Sequence, residues 1–203
     1  NNHRRKTQVI APNDPSFSSQ YALGIVEAVK AWGVIPGRYL TAASAGTARV
    51  RVAIIDTGLD CTHPEFKNDG GTSYDSANGG QVNAGASLAP VPTTRPSPLC
   101  AFQDDHSHGT HVAGIIAASA NNGRGIAGLA YAAELMIVKA LDSQGFGDDV
   151  EIADAIVAAV DGDAAIISMS LGGTGYSQPL PDPPKYARHR GSIFLSAPGN
   201  FNS

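Results

Sequence analysis

Four short runs of apolar residues, many of them β-branched and each running into a polar or glycine-rich turn, constrain this chain more than any other feature. Residues 49–55 read RVRVAII and lead into Asp56-Thr57-Gly58. Residues 135–141 form a second run. Residues 164–171 form a third, ending in Gly172-Gly173, and residues 192–197 a fourth, leading to Gly199-Asn200. Helical patterns lie between and before them. In residues 19–33, Leu23, Val26, Val29 and Trp32 fall close to a helical period and Gly33 acts as a stop. The segment VAGIIAASA after His108-Gly109-Thr110-His111 reads as a second helix. Residues 150–160 read as a third, with Ile152, Ile156 and Val160 on one face and Asp148 and Asp149 placed to cap and charge its start. Continuous apolar strands alternating with helices imply a three-layer α/β fold, with a mainly parallel sheet covered by helices on both faces. Such sheets put their chemistry beyond the carboxyl ends of the strands. Asp56, Ser170 and Asn200 each fall at or just after a strand end.

A length of 203 residues suits one domain, or most of one, with a sizeable core. Only 16% of residues are charged, while Gly (23) and Pro (13) are abundant enough to make the chain loop-rich. A net charge of −4 leaves no electrostatic footprint for nucleic acid. No run of 18 apolar residues is present, so no transmembrane helix is expected. The N-terminus carries His3, Arg4, Arg5 and Lys6 without an apolar stretch behind them, so it reads as a processed or truncated start without a signal peptide. Residues 67–105, rich in Gly, Ser, Asn, Ala and Pro, read as one long insertion loop. Cys61 and Cys100 are too few to fix a compartment. Two free thiols and a single bond are both open. A bond would close a loop of about 40 residues and add roughly 4 kcal/mol through loop entropy.

Three residues carry the candidate chemistry. An aspartate at the end of an apolar strand, such as Asp56, is costly to bury without a partner, and an imidazole N–H is a natural one. His108 opens a helix and is followed by Gly109, which leaves room for an imidazole to reach both an acid and a substrate. Histidine is the side chain best suited to act as a base near neutral pH. Asn200 follows a glycine at a strand end, where its amide can donate to a developing oxyanion. Taken singly, each of the three reads better as an ordinary turn or helix-start residue than as a catalytic one.

Taken together they do not. VAIIDTGLDCTHPEF, DDHSHGTHVAGIIAA, IISMSLGG and the terminal APGN occur in this order. They resemble the subtilase family of serine endopeptidases, and its thermitase-like members in particular. NDPSFSSQYAL and ASANNGRGIAGLA extend the likeness, which runs from about residue 13 to residue 200. The resemblance implies a subtilisin-like fold and peptide-bond hydrolysis. It makes Asp56 the triad aspartate, His108 the general base and Asn200 the oxyanion donor, and leaves His111 a packed helix residue without a catalytic role. It implies a substrate cleft between Gly145-Phe146-Gly147 and Ser170-Leu171-Gly172, which would hold a peptide as an added strand. It also implies a structural calcium site built from Asp14, Glu65, the Asn122 side chain and the carbonyls of Ala120, Arg124 and Ile126. Glu65 departs here from the aspartate common in the family. Polypeptide substrates, a propeptide, a monomeric state and secretion follow from the same likeness.

Two departures stand out. The family's Gly-Thr-Ser-Met-Ala nucleophile segment is missing. Gly71-Thr72-Ser73 lies between the acid and base motifs, without the following Met-Ala. The chain is therefore expected to be the front part of a longer domain, inactive alone, with residues 1–13 as an extension or propeptide remnant and residues 14–203 as a partial peptidase domain. The helix expected over residues 178–189 contains four prolines, and without further strands the run at 192–197 would be an exposed apolar edge. Two other functions compete: a non-catalytic, peptide-binding subtilase-like fragment, and a metallohydrolase using His106, His108 and His111.

Overall fold

The computed structural model describes residues 11–34, 50–60, 62–66, 81–84, 102–131, 133–172 and 183–197. Its strands are β1 (Arg51–Asp56), β2 (Gln81–Ala84), β3 (Glu134–Lys139), β4 (Ile166–Met169) and β5 (Ile193–Ser196). They form one sheet in the order β2-β3-β1-β4-β5, and every pairing is parallel. The helices are α1 (Tyr21–Ile25), α2 (Ala28–Val34), α3 (His108–Ala117), α4 (Asp149–Asp161) and α5 (Pro183–His189).

Alternation along the strands divides the core into two layers. Ala53 and Ile55 of β1, with Met136 and Val138 of β3, pack against Ala155, Ile156, Ala159 and Val160 of α4 and Ala187 of α5. Val52, Ile54, Leu135 and Ile137 point the other way and meet Ala113 and Ala117 of α3. The three-layer architecture expected from the apolar runs is the one observed. The small residues on the inner face of α3 let this helix lie close to β1. At α4, Asp148 in an extended conformation accepts the Val150 N–H at 2.8 Å, and Asp149 and Glu151 occupy the first turn. This is the cap that the sequence predicts, with the acidic charge where the helix dipole favours it.

The N-terminal segment differs from the single helix expected over residues 19–33. It folds as two short helices separated at Glu27, whose φ is +53°, and α2 continues through Gly33 to Val34. Tertiary contacts override the period. The Gln20 amide bonds both the N–H and the carbonyl of Ala127, and Trp32 donates to the Leu129 carbonyl. Leu23 and Ala28 turn inward against Ala120, Ala127 and Tyr131, while Val26 stays exposed.

Two further expectations change. The stretch 67–105 is not a plain insertion loop, because Gln81–Ala84 forms an edge strand whose ladder runs beside β3. A four-residue strand defined by backbone pairing leaves almost no side-chain period to read. In the region of the proline-rich helix, α5 begins at Pro183, so Pro183 and Pro184 occupy its first turn, where the missing N–H groups have no intrahelical partner to lose. Residues 173–182 lie outside the described residues. β5 is the edge strand of the described sheet, with Ile193 and Leu195 exposed, as its apolar sequence led us to expect.

Candidate active site

β1 lies inside the sheet between β3 and β4. The chain reaches β2 on one side after β1, returns through β3, and only then crosses to β4 on the other side. The carboxyl end of β1 is therefore the crevice where connections diverge, and Asp56 is its last residue. Its side chain is 1% exposed. One carboxylate oxygen accepts the Thr57 N–H at 2.7 Å. His108 Nδ1 lies 2.8 Å from Oδ1 and 3.0 Å from Oδ2 of the same carboxylate. A carboxylate can only accept, so the Nδ1 proton sits between the two groups and Nε2 carries the free lone pair. Nε2 has no protein partner among the described residues, and the His108 side chain is 42% exposed.

This contact depends on a latch between the turn after β1 and the start of α3. Thr57 Oγ1 accepts the Gly109 N–H and donates to Asp104, both at 2.8 Å. The approach is so close that a Cβ on Gly109 would stand 2.3 Å from the Gly58 carbonyl oxygen. Gly58 has φ +115°, and a Cβ there would stand 2.4 Å from the Phe102 carbonyl oxygen. Both positions therefore exclude side chains. Ser107, which precedes α3, is held in the left-handed region at φ +82° and makes no side-chain cap. Asp104 does that work instead. Its carboxylate accepts the N–H groups of His106, Ser107 and Thr110 and the hydroxyls of Thr57 and Thr110. Burial alone would push the Asp104 carboxyl up, but the bonds from Thr110, His106 and Ser107 outweigh it and hold the group below the usual carboxylate range. Asp104 was not singled out from sequence. The available signal was an acid four positions before His108, just ahead of the start of a helix.

The two segments expected to line a cleft extend from the same sheet. Ser170, Leu171 and Gly172 leave the end of β4, and Gly145, Phe146 and Gly147 follow the turn after β3. That turn closes on Asp142, whose carboxylate accepts the Gln144 and Phe146 N–H groups and whose own N–H reaches the Phe146 carbonyl. Gly145 adopts φ +79°, a Cβ on Gly147 would stand 2.5 Å from the Ala140 carbonyl, and the Phe146 side chain is exposed. β3 and β4 flank β1, so with one strand between them they run about 10 Å apart.

Three of the suggested calcium ligands, Asp14, Glu65 and Asn122, come together. Asp14 and Glu65 are each buried to 4% exposure, and neither forms an ion pair among the described residues. Asp14 accepts the N–H groups of Asn121 and Asn122, at 2.8 and 3.3 Å. Glu65 accepts the Asn122 amide at 3.0 Å and the Ile126 N–H at 3.2 Å, while Asn122 Oδ1 accepts the Arg124 N–H. Ala120 is buried at the start of the same loop. A Cβ on Gly125 would stand 2.0 Å from Glu65 Oε1.

Asn200, Cys61 and Cys100 lie outside the described residues. His111 is corrected: it is exposed rather than packed, and with Asp60, His63 and His106 it lines a cavity of about 1200 Å³. Its position on α3 turns it away from the sheet, which takes the Gly109, Ala113 and Ala117 face. The metallohydrolase reading gains no support. Among the described residues, no three histidine, cysteine or acidic side chains are grouped to hold a metal ion.

Comparison with known proteins agrees with this geometry. The model of the subtilase family matches residues 47–203. The chain belongs to the subtilase family. It is 35% identical to thermitase of Thermoactinomyces vulgaris over 190 residues, covering 93% of this chain and 58% of that protein. It is 34% identical to the major intracellular serine protease of Bacillus subtilis over 189 residues, covering 92% and 54%. Against subtilisin E of the same species the identity is 38% over 156 residues, covering 77% and 35%. The chain thus spans between about a third and somewhat over half of the length of these relatives.

The depressed value for Asp104 sets a pH dependence for the latch. Its folded-state pKa lies below the unfolded value of about 3.9. The ionised carboxylate therefore stabilises the fold above about pH 4, and this contribution is lost as pH falls through the folded value. Asp104→Asn is expected to lower stability at pH 7 by about 2 kcal/mol. The gap to the unsubstituted protein should narrow below pH 4. Urea denaturation across a pH series measures it, and a gap independent of pH would contradict the assignment.

Proposed function

We propose that this chain carries the acid–base half of a serine endopeptidase that cleaves polypeptides through an acyl-enzyme. The observation that supports it is the paired contact between buried Asp56 and His108 Nδ1. Asp56 holds the imidazole in the tautomer with its proton on Nδ1 and stabilises the imidazolium once it forms. His108 Nε2 then takes a proton from a serine hydroxyl as that oxygen attacks the scissile carbonyl. It returns the proton to the leaving amine, and water repeats the cycle on the ester. Asn200 is assigned to the oxyanion as a side-chain donor. An extended peptide would lie in the space of about 10 Å above the end of β1, bonded on one side to Gly145, Phe146 and Gly147 and on the other to Ser170, Leu171 and Gly172.

The nucleophile is not assigned within residues 1–203. Among the described residues no hydroxyl is bonded to His108, and the sequence has no Gly-Thr-Ser-Met-Ala segment. We therefore assign residues 14–203 to part of one peptidase domain, preceded by an extension over residues 1–13.

The donor set at Asp14, Glu65 and Asn122 fits a hard divalent cation. Two buried carboxylates, neither ion-paired among the described residues, bond to one loop, where the Asn122 amide oxygen and the carbonyls of Ala120, Arg124 and Ile126 would complete the donor set. Bound calcium would neutralise these carboxylates and lock the N-terminal segment onto the loop that follows α3, a structural role outside the reaction. A monomeric, secreted enzyme with a propeptide and a Cys61–Cys100 bond completes the proposal. No described helix is long and apolar enough to cross a membrane. One relative is named as intracellular, which weighs against secretion.

Three outcomes follow. The polypeptide 1–203 should not turn over a chromogenic peptide above background. The longer protein should do so, and His108→Ala should lower its kcat by about 10⁶-fold, the scale found for the equivalent loss in a subtilisin. Peptide binding without cleavage in the longer protein would favour a binding module instead. Calcium at a hundredfold excess over its Kd should stabilise the fold by about 2–3 kcal/mol in thermal unfolding. Glu65→Gln should remove most of that gain, and an unchanged Tm on chelation would defeat the site. Intact mass of protein recovered from the medium, with and without reductant, reads out secretion and the disulfide together. Protein confined to the cell, or two free thiols, would remove those parts of the proposal.

A further inference from the structure

A single lysine interrupts the apolar run of β3, and the triad reading gives it no role. Lys139 is the last residue of β3 and the register partner of Asp56 on β1. It is 1% exposed, among the largest fully buried side chains described. Burying an ammonium is costly unless every proton finds an acceptor. A lysine ammonium has three protons, and here all three are used. Nζ donates to the Thr57 carbonyl at 2.5 Å, to Asp105 Oδ1 at 2.7 Å and to the Leu141 carbonyl at 3.0 Å.

These acceptors belong to three different parts of the site. Thr57 follows Asp56 directly, and its hydroxyl takes the Gly109 N–H at the start of α3. Asp105 lies in the segment that delivers His108, next to the carboxylate that caps α3. Leu141 opens the turn that carries Gly145, Phe146 and Gly147, and its N–H, like that of Ala140, donates to the Asp56 carbonyl. One fixed charge therefore binds the acid, the approach to the base and one wall of the cleft to the same point. No helix or strand ladder does this, because each of the three segments lies beyond the end of its own element.

We propose that Lys139 is a positioning residue of the active site, its ammonium setting the placement of the Asp56–His108 pair relative to the Gly145–Gly147 segment. The inference rests on the peptidase reading for its kinetic part but not for its structural part. Methionine has nearly the same shape and no charge, so Lys139→Met keeps the core filled and removes the three bonds. Lys139→Arg keeps a charged donor. Asp105→Asn, at a partly exposed partner, weakens one bond with the least risk to folding.

The experiment compares these variants in the longer protein that contains residues 1–203. Proton NMR follows the low-field Nδ1–H signal that bridges His108 and Asp56, and kinetics on a peptide substrate follow kcat and KM separately. A displacement near 1 Å costs up to about 100-fold in rate. Lys139→Met is expected to lower kcat roughly 10–100-fold, with KM changing less, and to broaden or abolish the low-field signal. Lys139→Arg should recover most of both, and Asp105→Asn should give a smaller loss of the same kind. A folded Lys139→Met protein that keeps the signal and kcat would overturn the proposal and leave Lys139 a core residue only. If that variant does not fold, an unchanged signal in Asp105→Asn would count against it equally. Should the unsubstituted protein show the signal but cleave nothing, the peptidase reading fails. Loss of the signal in Lys139→Met would then still uphold the positioning role.

Discussion

A carboxylate held almost entirely out of water at the end of an interior strand is the constraint on which the rest of this structure depends. Asp56 has no room to reach solvent, since β3 and β4 pair with β1 on either side and α3 packs against one face. In that environment an unpaired charge would be strongly destabilising. The fold meets the requirement with a backbone N–H from Thr57 and an imidazole from His108. The same burial that makes the contact necessary makes it directional: Nδ1 is turned inward and Nε2 is left at the surface.

Holding the imidazole there requires two chain segments, 52 positions apart, to approach at backbone distance. Gly58 and Gly109 permit the approach, and Thr57, Asp104 and Lys139 maintain it through a continuous set of polar bonds. None of these groups extends a helix or a strand. They satisfy donors and acceptors that the ends of β1, β3 and α3 leave open, as buried polar groups must be satisfied. The geometry of the Asp56–His108 pair and ordinary backbone accounting coincide at this crevice, and left-handed Ser107, directly before His108, is stabilised rather than relaxed.

A second polar centre lies at the far end of α3. There Asp14 holds the loop through Asn121 and Asn122, Glu65 holds it through Asn122 and Ile126, and the N-terminal helices close over it through Gln20 and Trp32. The two centres share α3, whose first turn carries His108 and whose end leads into the loop. Rigidity of the loop therefore bears on the helix that presents His108.

Much of this was legible in the residues themselves. Apolar runs with β-branched residues fall where the sheet has four of its strands, and the acid-capped helix after residue 148 begins where Asp148 places it. The ordered motifs around Asp56 and His108 pointed to an acid and a base before any coordinates did, since a strand-end carboxylate and a helix-start imidazole carry their chemistry in their residue type. The break at Glu27, the short strand at Gln81–Ala84, the exposure of His111 and the work of Asp104 and Lys139 were not legible. Each depends on which distant backbone group stands nearby, and a sequence records neighbours along the chain rather than across it. Residue type and spacing thus determined the layers and the carboxylate and imidazole that meet at Asp56 and His108. Only the tertiary structure decided which loops meet, because buried charges and strand ends take whichever partner the packing brings within reach.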